Sequence, residues 1–232
     1  MIIKGLQKLT LLDFPGRIAC TVFTCGCNMR CPFCHNGGLA TGEGGEDISV
    51  EELLSFLDSR AGRLSGVCVS GGEPTLQSDL ADLLSAIKAR GLAVKLDTNG
   101  TNPDMLKSLI DSGLIDYVAM DIKNSPEMYT LTAGLEETER SARLVDNIRR
   151  SAAILMEGGV DFEFRTTLVK ELHSERDMHE IGKWLRGGEK FFLQSYRDEG
   201  DIIMPGLSAH TPERTRELLE ILKTYIPCAE IR

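Results

Sequence analysis

The run Ile18-Ala-Cys-Thr-Val-Phe23, followed at once by Thr24-Cys-Gly-Cys-Asn-Met-Arg-Cys-Pro-Phe-Cys-His-Asn36, sets the pattern of the whole chain. Residues 18–23 read as a buried strand. The loop after them carries Cys25, Cys27, Cys31 and Cys34. A strand that ends in a loop of chemically active side chains is the motif to look for elsewhere.

It recurs. Residues 67–70 (Val-Cys-Val-Ser), 93–97 (Ala-Val-Lys-Leu-Asp), 117–121 (Tyr-Val-Ala-Met-Asp), 161–169 and 190–196 read as further strands. Helix patterns separate them. Ser49 and Glu52 offer a capping box ahead of Leu53-Leu54. Asp79 to Arg90 carries Leu80, Leu83, Leu84 and Ile87 at helical spacing, with Gly91 as its stop. Asn102-Pro103 and Thr211-Pro212-Glu213 each set a cap residue before a first-turn proline, and 140–157 and 174–186 read as helices. Strands alternating with helices imply parallel strands joined by right-handed crossovers. About six such units fit, fewer than a closed barrel needs. The expected fold is therefore α/β, a partial, open TIM-like (β/α)6 barrel in a single domain over 1–232, with 1–17 as an N-terminal extension packed on it.

Active sites in such sheets gather at the C-terminal strand ends. The second strand ends in Ser70-Gly-Gly-Glu-Pro74, where two glycines allow close backbone approach and Glu73 offers a carboxylate to an ammonium group. The third ends in Asp97-Thr-Asn-Gly100 and the fourth in Asp121-Ile-Lys123. Taken singly, such an aspartate is an ion pair or a cap; three consecutive strand ends of this kind argue for one site. Arg165, inside the fifth strand, could point into the barrel and fork onto a carboxylate.

Thiolates Cys27, Cys31 and Cys34 can reach three corners of one iron–sulfur cube and leave the fourth iron of a [4Fe–4S] cluster open. Counting Cys25 gives four ligands, hence a zinc knot or an electron-transfer cluster, although one intervening residue strains two ligands onto one tetrahedral metal. The cysteine run alone leaves zinc, electron transfer and catalysis open. Cys20, Cys68 and Cys228 read as small buried hydrophobes, and His173, His179 and His210 as surface or helix residues without a role.

The chain has 232 residues and 42% hydrophobic content, enough for one sizeable core. A net charge of −9 argues against a broad nucleic-acid surface. Met-Ile-Ile-Lys-Gly-Leu-Gln-Lys8 is too polar for a signal peptide, and no apolar run approaches a membrane span, so a cytoplasmic location is expected. The 7 cysteines, odd in number and clustered, read as metal-binding rather than as a disulfide framework.

Cys-x3-Cys-x2-Cys with Phe33 before the last cysteine, together with Gly71-Gly-Glu-Pro74, resembles the radical S-adenosylmethionine (SAM) enzymes. Asp13-Phe-Pro-Gly16, Cys34-His-Asn36, Asp97-Thr-Asn-Gly100 and Asp121-Ile-Lys123 are similar to the glycyl-radical-enzyme activases. With Lys4-Gly-Leu-Gln-Lys8 and the short chain, the likeness is greatest to activators of the anaerobic ribonucleoside-triphosphate reductase. The resemblance spans nearly the whole chain. It implies a [4Fe–4S] cluster on Cys27, Cys31 and Cys34, with SAM on the open iron. It places the Phe33 ring and the His35 backbone near the adenine, and Gly71, Gly72 and Glu73 at the methionine amine. Asp97, Thr98 and Asp121 would surround the methionine carboxylate or a monovalent cation. Lys123 and Arg165 would line the cavity, and Asp13 would approach a peptide. The implied reaction is reductive cleavage of SAM and hydrogen abstraction from a glycine Cα of a glycyl-radical enzyme, with a low-potential donor such as flavodoxin or ferredoxin. No general acid or base is needed, and no nucleic acid or membrane partner is expected. The competing readings are a radical SAM enzyme acting on a small molecule and a four-cysteine structural or electron-carrier protein.

Overall fold

The computed structural model describes residues 1–232. In chain order the elements are β1 (Ile3–Thr10), β2 (Ala19–Thr24), α1 (Gly37–Thr41), α2 (Val50–Ser59), β3 (Gly66–Gly71), a 3₁₀ turn (Pro74–Leu76), α3 (Leu80–Lys88), β4 (Ala93–Thr98) and α4 (Pro103–Asp111). They continue with β5 (Tyr117–Asp121), α5 (Tyr129–Thr132), α6 (Glu139–Met156), β6 (Asp161–Leu168), α7 (Glu175–Trp184), β7 (Phe191–Ser195), α8 (Pro212–Lys223) and β8 (Ala229–Ile231). One sheet takes the strands in the order β1 to β8, and β1 and β8 do not pair with each other. Strands β2 to β8 are parallel; β1 runs antiparallel to β2.

The six expected strands are β2 to β7, and the open (β/α) barrel is confirmed. Two strands flank them. Residues 1–17, expected as an extension packed on the barrel, instead place β1 in the sheet itself through its antiparallel pairing with β2. Phe14, in the turn after β1, is buried with Ala19, Ala93 and Tyr117, the first residues of β2, β4 and β5, and so closes the barrel floor. Gly66 makes room for it, since a Cβ there would lie 2.9 Å from the Phe14 ring.

Alternation along the strands divides core from lumen. Val67, Val69, Val94, Leu96, Val118, Met120 and Phe164 are fully buried in one cluster with Leu53, Leu84, Leu106, Ile148, Ile181 and Leu222 of the surrounding helices. Burying each such side chain contributes about 1.5–3 kcal/mol. The opposite parity presents Cys68, Ser70, Lys95, Asp97, Asp121, Glu163 and Arg165 to the lumen. Low down in it Glu163, wholly buried, accepts from Tyr117 Oη at 2.9 Å and from the Arg232 guanidinium at 3.0 and 3.3 Å.

The caps are as read. Ser49 and Glu52 bond each other's backbone N–H at 2.8 and 3.1 Å, Asn102 accepts from Met105 N, and Thr211 from Arg214 N. Each such cap contributes about 1 kcal/mol. Gly91 takes φ +73° just beyond α3. Cys20 and Cys68 are buried as expected, but Cys228 is exposed, because it sits in the turn between α8 and β8 rather than in a strand. No helix is long and apolar enough to cross a membrane.

Candidate active site

Cys27, Cys31 and Cys34 line one cavity of about 300 Å³ above the C-terminal ends of β2 to β7. The loop that carries them is held from three sides. Gly26 N and Cys27 N bond the carbonyls of Leu39 and Ala40 in α1, at 2.8 and 3.2 Å. Arg30 N bonds Ala133 O at 2.9 Å, and its guanidinium folds back onto Cys27 O and Met29 O. Gly134, φ +64°, is a glycine because a Cβ there would sit 1.9 Å from Arg30 O.

Cys25 stands apart. It does not line the cavity, and its Sγ lies 3.7 Å from where a Gly42 Cβ would be, on the far side of the loop. No three His, Cys, Asp or Glu side chains converge as ligands of a single metal ion. Three soft thiols on one cavity wall, with Cys25 turned away, fit a three-ligand cube better than a one-metal knot. Burial pushes the Cys31 thiol up to about 12 and raises Cys27 as well, so iron must displace protons to take them as thiolates.

The glycine pair after β3 has a reason in the chain itself. A Cβ on Gly71, at φ +118°, would lie 2.3 Å from Thr24 N, and one on Gly72 would lie 2.0 Å from Gly26 O. Only glycine lets the end of β3 press against the exit of β2, where Gly72 N and Glu73 N bond Thr24 O and Gly26 O. Glu73 is wholly buried, with no cation beside it. Its Oε1 accepts from Thr75 N, Thr75 Oγ1 and Thr98 Oγ1 at 3.1, 2.5 and 2.7 Å, and its Oε2 from Asn99 N at 2.6 Å. Burial raises this carboxyl and the four donors oppose the rise. Its carboxylate, expected to meet an ammonium group, and the Thr98 hydroxyl both tie the exit of β3 to that of β4.

Across the cavity runs a ladder of alternating charge. Lys95 bonds Asp97; Arg165 Nη1 reaches Asp97 Oδ2 at 3.3 Å and Arg165 Nε reaches Asp121 Oδ1 at 2.9 Å; Lys123 Nζ reaches Asp121 Oδ2 at 3.0 Å. Arg165 points inward and forks, as the sequence suggested, but onto two carboxylates. Burial alone would raise both aspartates, yet the Arg165 charge and then the neighbouring lysines hold Asp97 and Asp121 below the ordinary carboxylate range. Three cations face two carboxylates, so this wall suits an added negative group. Asp13 lies off the cavity, its Oδ2 accepting from Thr21 Oγ1 at 2.5 Å.

Phe33 lines the cavity with Lys123 Nζ 6.0 Å from its ring centroid and His173 packed edge-on at 6.4 Å. His173, expected at the surface, is 3% exposed. Val169 N donates to its Nδ1 at 3.0 Å, which leaves Nε2 to donate to Lys123 O at 2.8 Å. That tautomer fixes the backbone beneath Lys123. His35 also lines the cavity, its ring edge-on to Tyr196. The loop after β7 reaches back over the cysteine loop: Gly37 N bonds Asp201 O, Asp201 N bonds His35 O and Met204 N bonds Pro32 O. Lys95 carried no role in the sequence reading, although its spacing of two from Asp97 puts both on one strand face and could have signalled the pair; nothing in the sequence marked His173 or Asp201.

Residues 21–183 match the radical SAM superfamily. A protein of Methanocaldococcus jannaschii, provisionally named a glycyl-radical enzyme activating enzyme, is 32% identical over 234 residues, covering 100% of this chain and 95% of its own. The pyruvate formate-lyase-activating enzyme of Clostridium pasteurianum is 34% identical over 246 residues, covering 97% and 98%. Among solved structures, a radical SAM methyltransferase from Sphaerobacter thermophilus superposes with a TM-score of 0.68 at 19% identity, over 97% of this chain and 68% of that one. Streptococcus suis SuiB, solved with S-adenosylmethionine bound, superposes with a TM-score of 0.69 at 17% identity, over 90% and 48%. These two likenesses carry the fold. The chain belongs to the radical SAM superfamily, whose enzymes work with a [4Fe–4S] cluster and S-adenosylmethionine, and within it to the relatives named as activating enzymes of glycyl-radical enzymes.

Proposed function

We propose that this protein installs a glycyl radical on an anaerobic ribonucleoside-triphosphate reductase, using Cys27, Cys31 and Cys34 as cluster ligands. The observation that carries the reading is the shared cavity: three thiols on one wall face the charge ladder of β4, β5 and β6 across it. Bound there, cluster and SAM supply one-electron cleavage of a sulfonium and hydrogen-atom abstraction from a glycine Cα.

The chain's own part is to bind, orient and exclude water. Phe33 offers an aromatic face and His35 a backbone edge for the adenine. Gly71 and Gly72 bring backbone to the amine, and Glu73 acts through the loop whose shape it fixes. Lys123 and Arg165 attract the carboxylate, while Asp97, Thr98 and Asp121 hold those cations and the adjoining strand end in place. Keeping solvent from the reacting carbon falls to the cysteine loop, which the loop after β7 braces at Pro32, His35 and Gly37. The partner choice rests on Lys4-Gly-Leu-Gln-Lys8 and Asp13-Phe-Pro-Gly16, with flavodoxin or ferredoxin as the electron source.

The test mixes the reconstituted, reduced protein and SAM with either anaerobic ribonucleotide reductase or pyruvate formate-lyase. A glycine-centred EPR doublet on the reductase is expected. A doublet on the lyase alone would overturn the partner, and SAM cleavage with neither would return a small-molecule substrate to first place.

A further inference from the structure

The polar side chains of the cavity fall into two groups. Most are already engaged: Ser70 Oγ donates to Asp97 at 3.1 Å, Thr98 Oγ1 to Glu73 at 2.7 Å, and Asn99 Nδ2 to Asn28 Oδ1 at 2.9 Å. The wall made by β6 and β7 differs. Thr167 and Gln194 are register neighbours there, both line the cavity, and neither side chain makes a hydrogen bond within the chain. They stand two residues beyond Arg165 and Phe192, on the same strand face, one step above the charge ladder. This is also the side on which the sheet stays open, since β7 is separated from the unpaired β1–β8 seam by the three residues of β8 alone.

We infer that Gln194, with Thr167 beside it, holds the backbone amide of the partner's reacting glycine. The inference rests on the function proposed above and adds the residue that grips the substrate. Glycine has no side chain, so an enzyme acting at its Cα has only the flanking N–H and C=O groups by which to hold it. A carboxamide presents an acceptor and a donor in one plane and matches that pair. A charged side chain would not do, because facing a neutral amide in a closed cavity it would lose hydration without a counter-charge. The Thr167 hydroxyl adds a second neutral donor on the next strand. Placement here matters for rate, since about 1 Å of error at a reacting centre is worth roughly 100-fold.

The experiment measures binding rather than turnover. Cluster-loaded protein with SAM is titrated with two capped peptides bearing the glycine loop of the reductase used above: one native, one with an ester oxygen in place of the glycine N–H. The wild type should favour the native peptide by about tenfold, or about 1.4 kcal/mol. In Gln194→Leu the native peptide should weaken by about tenfold and the preference shrink to within about twofold. Thr167→Val should weaken both peptides less. Should Gln194→Leu fail to fold, Gln194→Asn, one methylene shorter, reads the same ratio. An undiminished preference in the variant, from a protein that still radicalises the reductase, overturns this inference alone. A wild type that radicalises no glycyl-radical enzyme and binds neither peptide removes the proposed function, and this inference with it.

Discussion

Asp201 accepts the backbone N–H of Gly38 on Oδ2 at 2.6 Å, tying the loop after β7 to the short helix that follows the cysteine loop. The two glycine-bearing segments therefore form one cover over the cysteine loop. A Cβ on Gly38 would lie 2.6 Å from that same oxygen and 3.0 Å from Gly44 Cα, so the contact requires glycine there.

Asp201→Ala should free the cover. Losing a hydrogen bond of about 1 kcal/mol raises the local opening population roughly fivefold. Limited proteolysis within 197–206 should accelerate by that factor, while the melting temperature of the barrel stays nearly constant. Gly38→Ala should do more, because it forces two segments apart. Unchanged cutting in both variants would separate the cover from this contact.

Arg165 is the hinge of the charge ladder, bonded at once to Asp97 and Asp121. Arg165→Met leaves both carboxylates buried with fewer counter-charges, a change of about 3–5 kcal/mol and a melting point lower by roughly 10 °C. Arg165→Lys should fall less, since it keeps the charge but loses the fork. The pH dependence follows from the direction of the shifts. Both carboxyls are held low in the folded chain, so their contribution is present above the ordinary carboxylate range near 3.8 and fades as pH falls through the lowered values. Acid melts should show this loss in the wild type and a shallower one in Arg165→Met.

His173 predicts a second, milder acid dependence. Burial lowers its imidazole below the ordinary 6.5, against the bonds to Lys123 O and Val169 that would raise it. Below about pH 6.5 the unfolded chain takes up a proton that the folded chain refuses, so stability falls as pH falls through that window. His173→Gln should flatten this slope between about pH 7 and pH 5.5 and lower stability at neutral pH by about 1–3 kcal/mol, since Lys123 O loses its donor. An unchanged slope would place the titration elsewhere.

Of the six parallel strands, β3, β4, β5 and β7 were legible as short apolar runs that stop at Gly, Asp or Ser, β2 as an apolar run that stops at the cysteine loop, and β6 by the alternation Phe162-Glu-Phe-Arg165; their order follows from the crossover rule. The first strand was hidden by its own composition. Ile3–Thr10 is buried only at its two ends, so it lacks the alternation that marks a half-buried strand. At the site, residue types were legible and their partners were not. Gly71-Gly72 announced a close approach, but the approach is to Thr24 and Gly26 of the same chain. Glu73 announced a carboxylate, but its four donors come from Thr75, Thr98 and Asn99. His173 carried no signal at all, because its burial is created by the meeting of the segments that follow β5 and β6.

Cys25 provides the remaining prediction. With its thiol turned toward Gly42 and away from the cavity, Cys25→Ser should retain a full complement of iron after anaerobic reconstitution. Cys27→Ser, Cys31→Ser and Cys34→Ser should each lose the cluster, because a serine hydroxyl is a far poorer ligand for iron–sulfur chemistry than thiolate. Since burial keeps the Cys27 and Cys31 protons on, loading releases them and should be faster at about pH 8.5 than at about pH 7. Iron and sulfide per chain, with the reduced EPR signal before and after SAM, read all of this. Loss of iron in Cys25→Ser alone would restore a four-ligand site, and with it a cluster that has no iron left for SAM to bind.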